Sequence, residues 1–391
     1  MTRSPLREFF STEAAGGVVL VVATAAALVW ANSPWKESYF HLWHTHLSLG
    51  PTAHAATLDL QEWVSEGLMA IFFFVVGLEI KRELVVGELR DPRAAALPAV
   101  AAIGGMVVPA LIYVVINAGG NGMDGWGIPM ATDIAMAVGI VSLLGTRVAP
   151  ALRLFLLALA IVDDIGAIVV IAVFYSNNVR FEALAVAAGL VWVVVLLRWV
   201  GVRLVPIYAI VGVALWVALY KSGVSPTLAG VILGLLTPAV LRDGHEDSVA
   251  ERLEHQLHPW SSFVVVPLFA FANAGIPISS TSLSNAFTSR ITWGVILGLV
   301  IGKIVGVVGS SWIAIRLRLA SLPPETSWHG ILGIGAVAGI GFTVSIFVAG
   351  LAFEDEAVRL NEAKIGILVA SIVAATVGSL ILSRRERRRP L

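Results

Sequence analysis

The chain has no cysteine in 391 residues, which excludes disulfides, thiolate metal sites and a cysteine nucleophile. Charge is also scarce. Asp, Glu, Lys and Arg together make up 13% of residues, where a soluble domain carries about 25%. The space is filled by apolar residues, 58% of the chain, and the mean hydropathy is +0.88. That excludes a soluble globular domain and defines a polytopic membrane protein. No cleavable signal is expected, because the start "MTRSPLREFFSTEAAGG" is short and polar and leads into a series of further apolar runs.

Those runs fall at 14–31, 63–80, 95–117, 126–144, 150–175, 181–198, 204–220, 223–241, 259–276, 291–315, 329–352 and 364–383. They predict twelve transmembrane helices in a single polytopic transmembrane domain, 1–391. An even number puts both termini on one face. Nineteen of the 26 Lys and Arg fall on that face, six on the other, and Lys303 lies inside a span. The positive-inside rule therefore places both termini in the cytoplasm.

The longest outer segment, 32–62, contains "HLSLG" and "ATLDL", two alternating stretches separated by "PTAHA". They predict a small extracytoplasmic β-hairpin. His41, His44 and His46 nearby read as solvated loop residues rather than a metal site, since no neighbouring carboxylate is expected to complete a ligand set.

Four charges interrupt this apolar background. Asp163 and Asp164 lie at the centre of the fifth span, in "LALAIVDDIGAIVVIAVFY". Asp133 lies near the centre of the fourth, and Lys303 at the centre of the tenth. A carboxylate at mid-bilayer costs roughly 2.5–3.5 kcal/mol on insertion scales, and charges at this depth are too deep to snorkel. Lys303 can be read as neutralising one aspartate in a structural ion pair. One base does not balance three acids, however, and neighbouring helix positions point about 100° apart. At least one carboxylate must be protonated, hydrated or bound to a cation. Burial and like charge favour the protonated form of a carboxylic acid, and the ionised form is a hard oxygen ligand for small hard cations. A site that holds either protons or a cation is an exchange site.

Two spans are expected to be broken. The fourth opens "GWGIPMATDIAMA", with Gly127, Pro129 and Thr132 just before Asp133. The eleventh, "HGILGIGAVAGIGFTVSIF", has five glycines in twelve residues. Broken helices are tolerated at membrane depth only where they line a cavity or are buried in protein. "AAIGGMVVPALI" in span 3 also resembles "GLVIGKIVGVVG" in span 10. Spans 3–5 and 10–12 then form two inverted three-helix repeats, with Asp133 compensating positive half-helix ends and Lys303 negative ones.

The motifs "IPMATDIAMAVGIVSLLG", "LALAIVDDIGAIVVIAVFY", "FFFVVGLEIKREL", "LEHQLHPW", "PLFAFANAG" and "GIGFTVSIFVAGLAF" closely resemble the bacterial sodium/proton antiporter NhaA family, nearly end to end. The resemblance implies a secondary active antiporter of the bacterial cytoplasmic (inner) membrane. Such a protein exchanges cytoplasmic Na+, or Li+, for external H+ by alternating access. It implies that Asp163 and Asp164 bind Na+ or protons, that Thr132 and Asp133 belong to the broken helix, and that Lys303 is the midplane base. Glu79, Arg82 and Glu83 with Arg252, Glu254, His255 and His258 resemble a cytoplasmic pH-responsive cluster, and Glu66 an acid of the outer route. No resident cofactor is implied; Na+, Li+ and H+ are cargo. The partners implied are these ions, the lipid bilayer and a second copy of the chain, met through the 45–60 hairpin, with no nucleic acid. One position departs from the pattern. Ser225, in "YKSGVSPTLAG", stands where relatives carry histidine and does not titrate.

Two other readings compete. Membrane aspartates on different helices also mark intramembrane aspartyl proteases, but the contexts here are "TD" and "VDD", and two of the acids are adjacent. The chain is therefore not read as an enzyme. A sodium-coupled symporter of similar broken-helix fold is nearer, yet it needs polar groups for an organic substrate, and the core spans offer few.

Overall fold

A computed structural model describes residues 5–49, 56–176, 178–202, 204–239, 248–324, 326–354 and 356–384. The hairpin tip "PTAHA" and most of the basic C-terminal tail lie outside them. The described residues are predominantly helical, with one two-stranded sheet. Nine of the described helices are long and apolar enough to cross a membrane. A tenth span results if the bent pair Trp328–Val337 and Phe342–Ala352 counts as one. The sequence pattern gives twelve runs, and the other two are short as folded. Leu228–Leu236 has nine residues, about 14 Å of helix. Val266–Asn273 has eight, and follows the polar helix Val249–Trp260 through a π-helical turn.

The chain divides into two compact units. The first comprises Met1–Val22, Asp91–Ala167 and Ile276–Leu391, and the second Ala23–Arg90 and Ile168–Gly275.

In the first unit, helix Pro92–Asn117 starts at a conventional cap: the Asp91 carboxylate accepts from the Arg93 amide at 2.9 Å, and Pro92 takes the first turn, where no amide hydrogen is needed. It packs antiparallel to Arg290–Arg316, with Gly104 facing Gly306 and Pro109 facing Gly302. A Cβ on Gly306 would lie 2.2 Å from the Gly104 carbonyl oxygen. Only glycine permits that approach, which is how helices associate where lipid offers no hydrophobic gain. Just before Lys303 the second helix widens into a π turn, Gly298–Gly302.

In the second unit, helix Leu60–Val85 opens on a capping box between Asp59 and Glu62. It packs on Leu228–Leu236 through Gly230, where a Cβ would lie 2.0 Å from the Ala70 carbonyl oxygen. The expected hairpin is present as His46–Leu49 and Ala56–Asp59, antiparallel, with Leu47 opposite Leu58. The Trp63 indole ties it to the helix by donating to the Leu47 carbonyl at 2.9 Å. His44 does have a carboxylate beside it, with Nδ1 3.1 Å from Asp59 Oδ2, because the register brings Asp59 back across from His46. Among the described residues no group of three or more His, Cys, Asp or Glu could hold a metal.

Candidate functional site

Two interrupted segments cross in the first unit. One runs as a 3-10 helix, Met123–Met130, then extended through Ala131–Asp133, then as helix Ile134–Leu143. The other breaks after Val337, resumes at Phe342 and bends by 48°. Pro129 has no amide hydrogen to continue a helix, and Gly339 and Gly341 flank the second break. Freed backbone groups at this depth need protein partners. Here each break supplies the other. The Asp133 amide donates to the Ile340 carbonyl at 2.7 Å. Thr132 Oγ1 donates to the Ala338 carbonyl at 2.9 Å, and Ser345 Oγ to the Ile128 carbonyl at 2.8 Å.

The Asp133 carboxylate serves two helix N-termini at once. Oδ1 accepts from the Met136 amide at 3.0 Å; Oδ2 accepts from the Thr343 amide at 3.0 Å and from Thr343 Oγ1 at 2.5 Å. A negative charge there meets two positive helix ends. Thr343 carries no signal of its own in the sequence. It could be found only as the first hydroxyl after the glycine-flanked break.

Asp163 and Asp164 lie on helix Pro150–Phe174 and are 0% and 4% exposed. Lys303, fully buried, places Nζ 3.0 Å from Asp163 Oδ1 and 2.9 Å from Oδ2. The sequence left two readings of Lys303 open, neutralising one aspartate and compensating negative helix ends; its two hydrogen bonds go to Asp163. The side chain passes the Cβ-less face of Gly105, so the close glycine packing of helices 92–117 and 290–316 also makes room for it.

The second unit gathers most of the other candidates. Glu79, Glu83 and Glu254 are all less than a tenth exposed. Arg82 Nη1 donates to Glu254 Oε1, and Arg82 Nη2 to Glu83 Oε1 at 3.1 Å. Burial pushes the Glu254 carboxyl above the usual range. Arg82 and His258 oppose the shift, Glu83 adds to it, and His255 opposes it more weakly. Arg252 and His255 are exposed on the same helix. Glu66 lies on a π turn, Trp63–Leu68, whose Glu66 carbonyl accepts from the Trp216 indole at 2.9 Å. Trp63 stacks on Trp216, and Trp216 on Tyr220. Ser225 is buried and hydrogen-bonds Thr227 at 2.8 Å. Helix 228–236 starts just beyond Pro226.

Two buried charges were not singled out by the sequence pattern. Lys364, counted there with an outer loop, lies inside helix Ala357–Ser383 and is 5% exposed. Glu13, in the polar start, is 4% exposed. Both were missed because hydropathy reads them as span ends.

Paired helix breaks braced by side chains, beside acids buried in an apolar helical unit, define a multi-pass membrane protein with a polar core of the kind ion transporters use. The profile of the family described as "Na+/H+ antiporter 1" matches residues 7–382. Na(+)/H(+) antiporter NhaA of Escherichia coli is 47% identical over 98% of this chain and 99% of its own length. Na(+)/H(+) antiporter NhaA 2 of Sorangium cellulosum is 45% identical over 98% and 91%, and NhaA 1 of Klebsiella pneumoniae 46% over 97% and 96%. The chain belongs to the NhaA family of Na+/H+ antiporters.

Proposed function

We propose that the protein is a secondary active antiporter that exchanges cytoplasmic Na+ or Li+ for external H+. In this reading 1–391 is one transporter domain of twelve spans in the bacterial inner membrane, with both termini cytoplasmic. Its spans 3–5 and 10–12 are inverted repeats; the antiparallel pairing of helices 92–117 and 290–316 and the crossing of the two broken segments support this. The observation that carries the proposal is the buried Asp163–Asp164 pair with a single lysine at its depth, bonded to Asp163. One ammonium balances one carboxylate. Two adjacent buried carboxylates can hold a proton or a small hard cation, and that alternation is exchange chemistry.

Asp163 and Asp164 then hold Na+ or protons, while Asp133, Thr132 and Thr343 fix the crossing of the two breaks, and alternating access turns the site from one face to the other. If both aspartates arrive protonated and both release protons to bind one Na+, two charges enter for one that leaves. If one aspartate stays ionised and Lys303 carries the second proton, the tally is the same. Either route is electrogenic. The Glu79–Arg82–Glu83 and Glu254–His258 cluster is the pH-responsive element of a protein serving pH homeostasis, Glu66 lines the outer route, and the hairpin joins two copies into a homodimer. The test is exchange in proteoliposomes that hold a pH gradient and no organic solute. Sodium alone should collapse the gradient; a requirement for an organic substrate would sink the antiport reading in favour of a symporter.

A further inference from the structure

The second unit carries a groove of about 560 Å³ lined by Trp30, Glu37, Ser38, His41, Leu42 and Thr45. Trp30 is the next-to-last residue of the apolar span Glu13–Ala31. The groove therefore lies at a membrane face, the outer one in the orientation proposed above. Its other lining residues come from the short helix Lys36–Trp43 and the turn just after it. Both walls are held in place. Trp30 Nε1 donates to Ser38 Oγ at 3.0 Å, and the Trp30 ring packs edge-on against Tyr39 and tilted against Phe271. Tyr39, 1% exposed, donates its hydroxyl to the Phe271 carbonyl at 2.6 Å, which ties the short helix to Val266–Asn273.

Glu37 supplies the charge. It is exposed, and among the described residues nothing hydrogen-bonds or pairs with its carboxylate. A fixed indole beside a free carboxylate suits an organic cation. A quaternary ammonium has no N–H to donate and is held by a cage of several rings. One ring with an acceptor beside it favours a primary ammonium, which has three donors. His41 is one turn on from Glu37, where Cβ atoms lie about 5–6 Å apart. That spacing suits a headgroup in which two carbons separate an ammonium from a phosphate, with the imidazole donating to the phosphate oxygen. Trp35 and Leu42 are seven residues apart and so share one side of the helix. They are 74% and 38% exposed. Aromatic and apolar side chains at this depth meet lipid, so the occupant has acyl chains as well as a polar head.

We propose that this groove binds the headgroup of a phosphatidylethanolamine lipid. The ammonium lies on Glu37 and the face of Trp30, the phosphate on His41, and the acyl chains run along Leu42 and Trp35. The inference does not depend on the antiport reading.

The experiment gives the full-length protein in detergent an equimolar mixture of phosphatidylethanolamine and phosphatidylglycerol with the same acyl chains, and counts the retained lipids by native mass spectrometry. Glu37→Gln should lower the ratio of retained phosphatidylethanolamine to phosphatidylglycerol roughly two- to fivefold, the range of an exposed ion pair. Glu37→Lys should lower it further, because it repels the ammonium and attracts the phosphate. Glu182→Gln, which removes another exposed acid in the first turn of its helix, should leave the ratio unchanged. A ratio unmoved by both Glu37 substitutions, or moved as far by Glu182→Gln, would overturn the site. Free phosphoethanolamine then separates a lipid site from a soluble-amine site. It should displace the lipid only at concentrations far above the lipid's own; displacement at equal concentration would overturn the lipid as the occupant.

Discussion

Lys303 Nζ is bonded to both carboxylate oxygens of Asp163, and neither side chain touches solvent. Asp164 projects about 100° further round the same helix. The two aspartates are therefore adjacent in sequence but inequivalent in surroundings.

That inequivalence predicts different losses. Asp163→Asn leaves an ammonium buried beside an amide, and breaking a buried pair costs about 3–5 kcal/mol. Thermal unfolding in detergent should show a clear fall for Asp163→Asn and for Lys303→Ala. The double variant Asp163→Asn/Lys303→Met should recover most of it. A double variant no more stable than either single one would argue against the pair as the source.

Asp164→Asn should abolish sodium-driven exchange, since an amide neither titrates nor balances a cation, while leaving the Lys303–Asp163 pair in place. Exchange in everted vesicles measures this. Full activity would remove Asp164 from the site.

Electrogenic exchange should respond to voltage. An inside-negative potential of 100 mV adds about 2.3 kcal/mol per net charge to sodium extrusion. Proteoliposomes clamped with valinomycin provide the measurement, and indifference of the unaltered protein to the clamp would refute the unequal charge tally. Lys303→Ala separates the two proton routes: if lysine is an obligatory proton carrier, the remaining exchange becomes electroneutral.

Glu254 gives a signed pH effect. Burial raises its carboxyl above the ordinary 4.5, so the native fold favours the protonated form. The associated stability is fully present below that ordinary value and is lost as pH rises through the raised one. Glu254→Gln should flatten stability across this window, and Glu254→Ala or His258→Ala should move the activity–pH curve. A lower maximal rate on an unmoved curve would place the cluster outside regulation.

The hairpin prediction concerns assembly. An isolated two-stranded hairpin is marginally stable in water, and a second copy supplies a further edge. Deleting 46–58 should give monomers by size-exclusion chromatography in detergent that still exchange ions. Dimers that persist after the deletion would exclude the hairpin as the interface.

The sequence by itself determined the membrane class, most of the spans, the hairpin and the placing of Asp133, Asp163, Asp164 and Lys303 within apolar segments. These follow from composition, period-2 alternation and 1.5 Å per residue, all of which are local. Pro129 and the glycines around Ile340 likewise marked both breaks, because an amide-less or Cβ-less residue interrupts a helix wherever it occurs. Tertiary structure decided which groups meet. That Lys303 chooses Asp163, that Asp133 caps two helices through Met136 and Thr343, and that Arg82 links Glu83 to Glu254 depend on contacts between distant segments. It also decided that Lys364 and Glu13 are buried. Hydropathy assigns a charge near the end of an apolar run to water, whereas its exposure is set by the neighbouring helices that pack over it.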